Sequence, residues 1–266
     1  MILKELLLTI YRYRGFIVGS VKREFQIRYK MSMLGATWLI LQPLSMILVY
    51  TLVFSQVMKT RLPGASGVFA YSIYLCVGII TWGLFAEIIS RSQNIFIESA
   101  GLLKKLSFPR ICLPIIVALS AIINFTIIFS LFLVFLMITG NFHFYSIVEI
   151  IPLLVIEVAF ALGLGVVLGV VNVFFRDVGQ FVTVLLQFWF WFTPIVYVLS
   201  ALPVWAQEIL KYNPMAVLVD NFQQVIIHQQ PIAWGSVWPV IVAAIILCGL
   251  GMHLFRKHAA DMVDEL

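Results

Sequence analysis

Apolar residues run through this chain in six stretches, each close to the roughly 20 residues that a helix needs to cross a bilayer. Charged and polar residues gather in the segments between them. The pattern predicts an all-α membrane protein with six transmembrane helices. The predicted spans are residues 34–58, 68–89, 111–138, 147–173, 178–199 and 235–255.

The composition supports this interpretation. Of the 266 residues, 62% are hydrophobic and 11% are charged, whereas a soluble domain is about half apolar and a quarter charged. A soluble core could not hide so much apolar surface, so we expect one transmembrane domain over residues 1–266. The formal net charge is +5. Because the basic residues flank apolar spans, they indicate topology and contact with membrane lipids rather than nucleic acid.

The distribution of Lys and Arg predicts the orientation. With the N-terminus inside, fourteen of the 17 Lys and Arg residues fall in inner segments, and only Lys59, Arg61 and Lys211 fall outside. Cytoplasmic loops carry such an excess of positive charge. We therefore expect a multi-pass protein with both termini in the cytoplasm.

Residues 1–33 differ from the spans. Apolar residues recur there at three- to four-residue spacing, which predicts an amphipathic helix in the inner interface, or two helices broken near Gly15 and Gly19. A plain anchor helix is the alternative. The recurring residues are Leu3, Leu6, Ile10, Tyr13, Ile17 and Val21.

The segment from residue 200 to residue 234 is rich in apolar and aromatic residues and contains Pro203, Pro214 and Pro231. A structureless loop of this length is uncommon. We expect two short re-entrant helices that dip into the outer leaflet on the periplasmic side.

Sequence signatures of catalysis are missing. The chain has no G-x-x-x-x-G-K-[ST] phosphate loop, no metal-binding signature and no ligand spacing among its four histidines. We therefore predict neither an enzyme nor a metal site, and any work against a gradient needs a partner subunit or an ion gradient. Cys76, Cys112 and Cys248 are expected to be free core thiols.

Three features of the spans leave alternatives open. Glu157 lies near mid-bilayer, where it is either a pore-lining or coupling group or a packing residue. Gly165 and Gly169 form a G-x-x-x-G pattern, for which packing within the bundle is favoured over a dimer seam. The aromatic run 188–192 suits an interfacial belt or a channel lining.

Four motifs in order resemble the membrane permease subunit of bacterial type-2 ABC exporters, in the branch that exports polysaccharides. They are RYKMSMLGATWLILQP (28–43), SRSQNIFIESAGLLKKLSFPRICLP (90–114), LGLGVVLGVVNVFFRDV (162–178), and FTPIVY (192–197) followed by LKYNPMAVLVDNF (210–222).

The resemblance implies export of a lipid-linked polysaccharide across the bacterial inner membrane, with O-antigen as the first expectation. Capsule, teichoic acid, drug or small-lipid export are alternatives within the class. It also implies a homodimer with two copies of a separate ATP-binding cassette ATPase, which holds ATP and Mg, so that this chain needs no cofactor. A gradient-driven flippase and a membrane-embedded glycosyltransferase fit less well, because Glu157 is nearly alone and no acidic cluster is present.

The candidate site residues form three groups. By analogy with the family, ATPase coupling involves Asn94, Leu102, Leu103, Lys104, Lys105, Phe108, Pro109, Arg110, Arg176 and Asp177. The lipid headgroup is expected to enter at Arg28, Tyr29, Lys30, Leu34 and Gly35, although these cations could serve topology alone. The channel and gate are expected to use Glu157, Phe188, Trp189, Trp191, Phe192, Trp205, Tyr212 and Phe222.

Overall fold

The computed structural model of the chain describes residues 8, 11–30, 35–53, 69–101, 110–259 and 261–265. Within these ranges every regular element is helical. The α-helices are α1 (Arg14–Lys30), α2 (Trp38–Thr51), α3 (Ala70–Ser92), α4 (Ile95–Glu98), α5 (Cys112–Ile138), α6 (Phe144–Phe174), α7 (Asp177–Trp191), α8 (Val204–Leu210), α9 (Pro214–Ile227), α10 (Trp234–Lys257) and α11 (Asp261–Glu265).

Four of these helices, α3, α5, α6 and α10, are long and apolar enough to cross a membrane. They coincide with the second, third, fourth and sixth predicted spans, and each begins and ends within three residues of the predicted bounds. The two remaining predicted spans contain shorter helices, α2 and α7.

The fifth predicted span, 178–199, extends beyond its helix. Helix α7 ends at Trp191, shortly before Thr193-Pro194, because a proline disfavours helical geometry in the residue before it. For the first predicted span, residues 54–58 lie outside the described residues, so its outer boundary stays a prediction.

Helix α6 packs between α3 and α10, and glycines permit the close approach. A Cβ atom added at Gly163 would lie 2.7 Å from the backbone nitrogen of Cys248 on α10. At Gly169 it would lie 2.6 Å from the carbonyl oxygen of Ser92 on α3, and at Gly165 2.6 Å from the Ser92 Cβ. The G-x-x-x-G pattern therefore packs within one protomer, as the sequence favoured.

The apolar stripe of the N-terminal segment faces the bundle. Ile17 and Val21 of α1 are buried and pack against Cys112 and Ile116 of α5. Helix α1 runs through Gly19 without a break, so only the single-helix alternative fits at that position. Cys76 and Cys112 are buried as expected, but Cys248 is exposed, because α10 presents it on the outer surface of the bundle.

The helix ends gather at two ends of the bundle. We call the end that contains α1, α4 and α11 the inner end, and the end that contains α8 and α9 the outer end, after the predicted orientation. Phe96 of α4 stacks on Phe255 near the end of α10, while Ser146 at the start of α6 donates to the Val225 carbonyl of α9. Helices α6 and α10 therefore both run from the outer end to the inner end.

Candidate functional site

A buried asparagine joins three segments at the inner end. The Asn172 Nδ2 atom donates to the carbonyl oxygen of Gln93 at 2.9 Å and to the Asn94 Oδ1 atom at 3.2 Å. Its Oδ1 atom accepts from the backbone nitrogen of Gly179 at 2.8 Å. We call Gln93, Asn94, Asn172 and Gly179 the asparagine clamp, since it ties the turn after α3 to the start of α7.

The clamp brings together some of the predicted coupling residues. Asn94 belongs to it, and Arg176 and Asp177 lie exposed at the turn that leads into α7. Arg110 is placed elsewhere at the inner end, where its guanidinium donates to the carbonyl of Ala259, just after α10. The other predicted coupling residues lie outside the described residues: Leu102, Leu103, Lys104, Lys105, Phe108 and Pro109.

A network of charged and polar side chains joins α1 to α3 and α5. The Arg91 guanidinium lies 2.6 Å from Glu24 Oε1 and 3.4 Å from Glu87 Oε1. The Ser120 hydroxyl donates to Glu24 Oε2 at 2.8 Å, and the Asn124 amide donates to Glu87 Oε2 at 2.7 Å. We call these five residues the Arg91 network.

Sequence reasoning missed this network. The i, i+4 spacing of Glu87 and Arg91 is a visible signal for an ion pair on a helix. Nothing in the local pattern points from Arg91 to Glu24, which comes from a different helix. An ion pair and apolar packing together therefore hold α1 against α3 and α5.

The predicted headgroup site is described only in part. Arg28, Tyr29 and Lys30 form the last turn of α1, and their side chains, like Leu34, lie outside what the structure describes. Gly35 begins a 3₁₀ turn ahead of α2 and has φ of 52°, a left-handed value that glycine adopts at little cost. The left-handed backbone at Gly35 therefore lies five residues after the end of α1, just ahead of α2.

The non-helical segment after α7 is held by side chains of α3. The Tyr74 hydroxyl lies 3.0 Å from the carbonyl oxygen of Pro194 and 2.9 Å from that of Tyr197. The Tyr71 hydroxyl donates to the Val196 carbonyl. These bonds satisfy carbonyl groups that a helix would otherwise satisfy, so residues 192–197 are fixed against α3.

Asn213 connects the same segment to α9. Its side-chain oxygen accepts from Met215 N at 3.0 Å as the N-cap of α9, and from Trp189 Nε1 at 2.8 Å. Its amide nitrogen donates to the Phe192 carbonyl at 2.8 Å. One side chain thus fixes α7, the following turn and α9 together.

Helix α9 lies among α3, α6 and α10 and contains one acid, Asp220. Burial raises the pKa of the Asp220 carboxyl above its ordinary value, while a hydrogen bond with Gln224 and the charge of His228 oppose this shift.

The predicted channel and gate residues fall into two sets. Phe188, Trp191, Phe192, Trp205 and Tyr212 project from the protomer and are 61% to 90% exposed. Between α7 and the α8–α9 turn lies an open groove of about 360 Å³ that Phe188 and Phe192 help to line.

The second set lies inside the protomer. Trp189 packs edge-on against Phe85 of α3, with ring centroids 5.1 Å apart. Phe222 and Glu157 are buried, and the Glu157 oxygens have no hydrogen-bond partner among the described residues. Burial of an unpaired carboxyl group costs free energy, and the two interpretations of Glu157, as a pore-lining or coupling group or as a packing residue, both stay predictions.

Long apolar helices, joined by polar contacts at both ends, define a multi-pass helical membrane protein. Residues 17–227 match the family described as ABC-2 type transporter, and the chain belongs to that family. This confirms the resemblance drawn from the four motifs.

Relatives are similar over most of the chain. The O-antigen export system permease protein RfbA of Myxococcus xanthus is 31% identical over 265 residues, which cover 98% of this chain and 99% of that protein. A Klebsiella pneumoniae protein of the same name is 29% identical, with 91% of each chain covered. The polysialic acid transport protein KpsM of Escherichia coli is 20% identical, over 91% of this chain and 93% of that protein.

We predict that Arg91→Gln loosens α1 from the bundle. The ion pair with Glu24 is partly exposed, so its loss costs about 1 kcal/mol, which corresponds to an about fivefold larger population of the open state of α1. Hydrogen–deuterium exchange of residues 14–30 in the purified protein measures this change.

Arg23→Gln is the matched control, because Arg23 is an exposed cation of the same helix. Equal exchange of α1 in the Arg91 variant, the Arg23 variant and the unchanged protein contradicts the structural role assigned to the network.

Proposed function

We propose that this chain is the membrane permease subunit of an ATP-driven exporter that moves a lipid-linked polysaccharide, O-antigen first, across the bacterial inner membrane. The observation that carries the proposal is the 31% identity to an O-antigen export permease over nearly the full length of both chains. Capsule export is the second candidate. It rests on similarity to the polysialic acid transport protein, at the lower identity of 20%.

In this proposal α2 and α7 complete six spans, and both termini lie in the cytoplasm. Helix α7 has 15 residues and is therefore about 22 Å long, shorter than a hydrocarbon core of about 30 Å. Residues 192–197 complete the crossing. Their irregular backbone is acceptable there because Tyr71, Tyr74 and Asn213 bind its carbonyl groups within the protein. Helices α8 and α9 are the re-entrant periplasmic helices.

The subunit works as a homodimer with two ATPase subunits, which hold ATP and Mg. The ATPases bind at the inner end, where Arg176 and Asp177 are exposed beside Asn94. The segment 102–109 is expected to add apolar and cationic contacts to the ATPases. A movement of the ATPases against this surface is transmitted through the asparagine clamp to α6 and α7. It is transmitted through the Arg91 network to α3 and α5.

The lipid headgroup enters where α1 meets α2. Arg28 and Lys30 are expected to attract its phosphate groups, and Tyr29 and Leu34 belong to the same predicted site. Gly35 has left-handed backbone, the kind of conformation in which successive backbone N–H groups can form an anion-binding concavity. The sugar chain then follows the exposed aromatic face of α7 and the α8–α9 turn, where flat rings stack on sugars without offering charge.

The gate includes Phe188, Trp191, Phe192, Trp205 and Tyr212, which the protomer leaves exposed. Trp189 has a supporting role through its bond to Asn213. Phe222 and Glu157 support the gate from the interior of the protomer.

Deletion of the gene tests the function. We expect loss of surface polysaccharide and accumulation of the lipid-linked glycan in the inner membrane, with restoration by the unchanged gene. The tagged chain is expected to co-purify with an ATP-binding cassette ATPase. Normal surface O-antigen in the deletion strain contradicts the O-antigen assignment, and loss of capsule alone supports the second candidate.

The headgroup site is tested in the same strain with Arg28→Gln/Lys30→Gln. Removal of two phosphate-attracting charges is expected to abolish export, measured as surface polysaccharide, while membrane insertion and ATPase co-purification are retained. The matched control is Lys22→Gln/Arg23→Gln, which removes two exposed cations of the same helix. Equal export by both double variants refutes the headgroup role.

The gate is tested with Trp191→Ala/Phe192→Ala. Each of the two stacking contacts contributes about 1 kcal/mol, so we expect about thirtyfold slower appearance of new surface polysaccharide after induction. Trp238→Ala is the control, since Trp238 is an exposed aromatic near the outer end of α10. The gate assignment is wrong if the double variant exports at the rate of the control.

A further inference from the structure

A lateral groove of about 280 Å³ lies between α5, α6 and α10. Nine residues line it, and all are apolar apart from the thiol of Cys248, which already contacts the Ala159 carbonyl at 3.2 Å. Along α10 the groove extends from Phe255 to Cys248, which is about 10 Å at 1.5 Å per residue. A groove with this lining accommodates a hydrocarbon chain and offers nothing that recognises a sugar.

Basic residues are adjacent in sequence to the residues that line the inner end of the groove. The lining residue Ile111 directly follows Arg110, and Phe255 directly precedes Arg256 and Lys257. Helix α5 also begins here, at Cys112, so its N-terminal dipole adds partial positive charge. Arg256 and Lys257 are both exposed.

Among the side chains that the structure describes, no acidic group lines the groove. Glu98 is exposed at the end of α4, and Glu265 is exposed on α11. Asp261 lies 3.1 Å from the His258 ring nitrogen. The cations Arg110, Arg256 and Lys257 are therefore adjacent in sequence to residues that line the groove. Glu98 and Glu265 belong to α4 and α11, whose residues Phe96 and Met262 cluster with Phe255.

We propose that this groove binds an acidic phospholipid of the inner leaflet, with one acyl chain along α10 and the phosphate against the exposed cations Arg256 and Lys257. The assignment of the leaflet rests on the topology in the proposed function. The apolar lining favours a phospholipid over the lipid-linked glycan, because no lining side chain can bind the sugar of the latter.

The bound lipid has a structural consequence. Arg110 joins the start of α5 to the segment after α10, and Phe96 of α4 stacks on Phe255. A lipid in the groove packs against the same helix ends and so stabilises the attachment of α4 to α10.

Native mass spectrometry of the full chain, purified from its membrane, tests the proposal with phosphatidylglycerol and phosphatidylcholine of identical acyl chains. We expect about tenfold tighter retention of phosphatidylglycerol. Cys248→Phe, which fills the groove, is expected to weaken retention of both lipids. Arg256→Gln/Lys257→Gln is expected to remove the preference for phosphatidylglycerol.

Each variant has a matched control. Ile246→Phe places the same ring on an exposed position of α10 that does not line the groove, and Lys22→Gln/Arg23→Gln removes two exposed cations from α1. Both controls are expected to retain lipid as the unchanged chain does. Equal retention of the two lipids by the unchanged chain, or equal losses in variant and control, overturns the proposal.

Two further outcomes also overturn it. Displacement of phosphatidylglycerol by equimolar isoprenoid phosphate identifies the groove as a substrate subsite. Oxidative cross-linking of Cys248 between two copies identifies it as a subunit interface. The readout is lipid binding, so a failed export assay leaves it unaffected and the two proposals can fail separately.

Discussion

The structure depends on one constraint: backbone polar groups that leave a helix within the bundle need partners from the protein itself, because lipid offers none. At the inner end Asn172 accepts from Gly179 N and donates to Gln93 O. At the outer end tyrosines of α3 and Asn213 do the same for residues 192–197. The places where the chain can turn are therefore fixed by a few amide and hydroxyl side chains.

The contacts between helices are also determined by the absence of water from the lipid. Between helices in lipid the hydrophobic effect contributes little, so close packing and interhelical hydrogen bonds must hold them together. Glycines of α6 meet this need on two sides, with Gly163 against Cys248 and Gly169 against Ser92. The backbone contact at Ser92 lies next to the asparagine clamp, so the tightest packing and the inner polar contacts reinforce each other.

The sequence predicted best what length and composition determine. The long spans were predicted to within three residues, because a stretch of about 20 apolar residues in a chain of this composition has few possible structures other than a transmembrane helix. The end of α7 was missed, since a local effect of Pro194 interrupts a stretch that is still apolar. The aromatic run 188–192 could not be divided by pattern. Only the fold turns Trp189 toward Phe85 and leaves Phe188, Trp191 and Phe192 exposed.

The Arg91 network could not be predicted because it joins helices that are distant in sequence. In the sequence, Glu24 and Arg91 resemble ordinary charged surface residues. Their ion pair forms only when the fold places α1 beside α3. The motifs placed Asn94 in a coupling segment, but the partner that makes this segment rigid is Asn172, inside a glycine-rich span. Local patterns thus identified the regions, and long-range contacts determined their roles.

Helix α3 extends from the inner end to the outer end of the bundle and makes polar contacts at both. It carries Tyr71 and Tyr74, which hold the segment after α7, and it carries Arg91, which binds α1. Tyr74 and Arg91 are separated by 17 residues, or about 25 Å of helix. A close-packed helix moves as a unit rather than deforming continuously. A shift of α3 at the inner end therefore changes its contacts with residues 192–197 at the outer end, beside the exposed aromatics of the proposed gate.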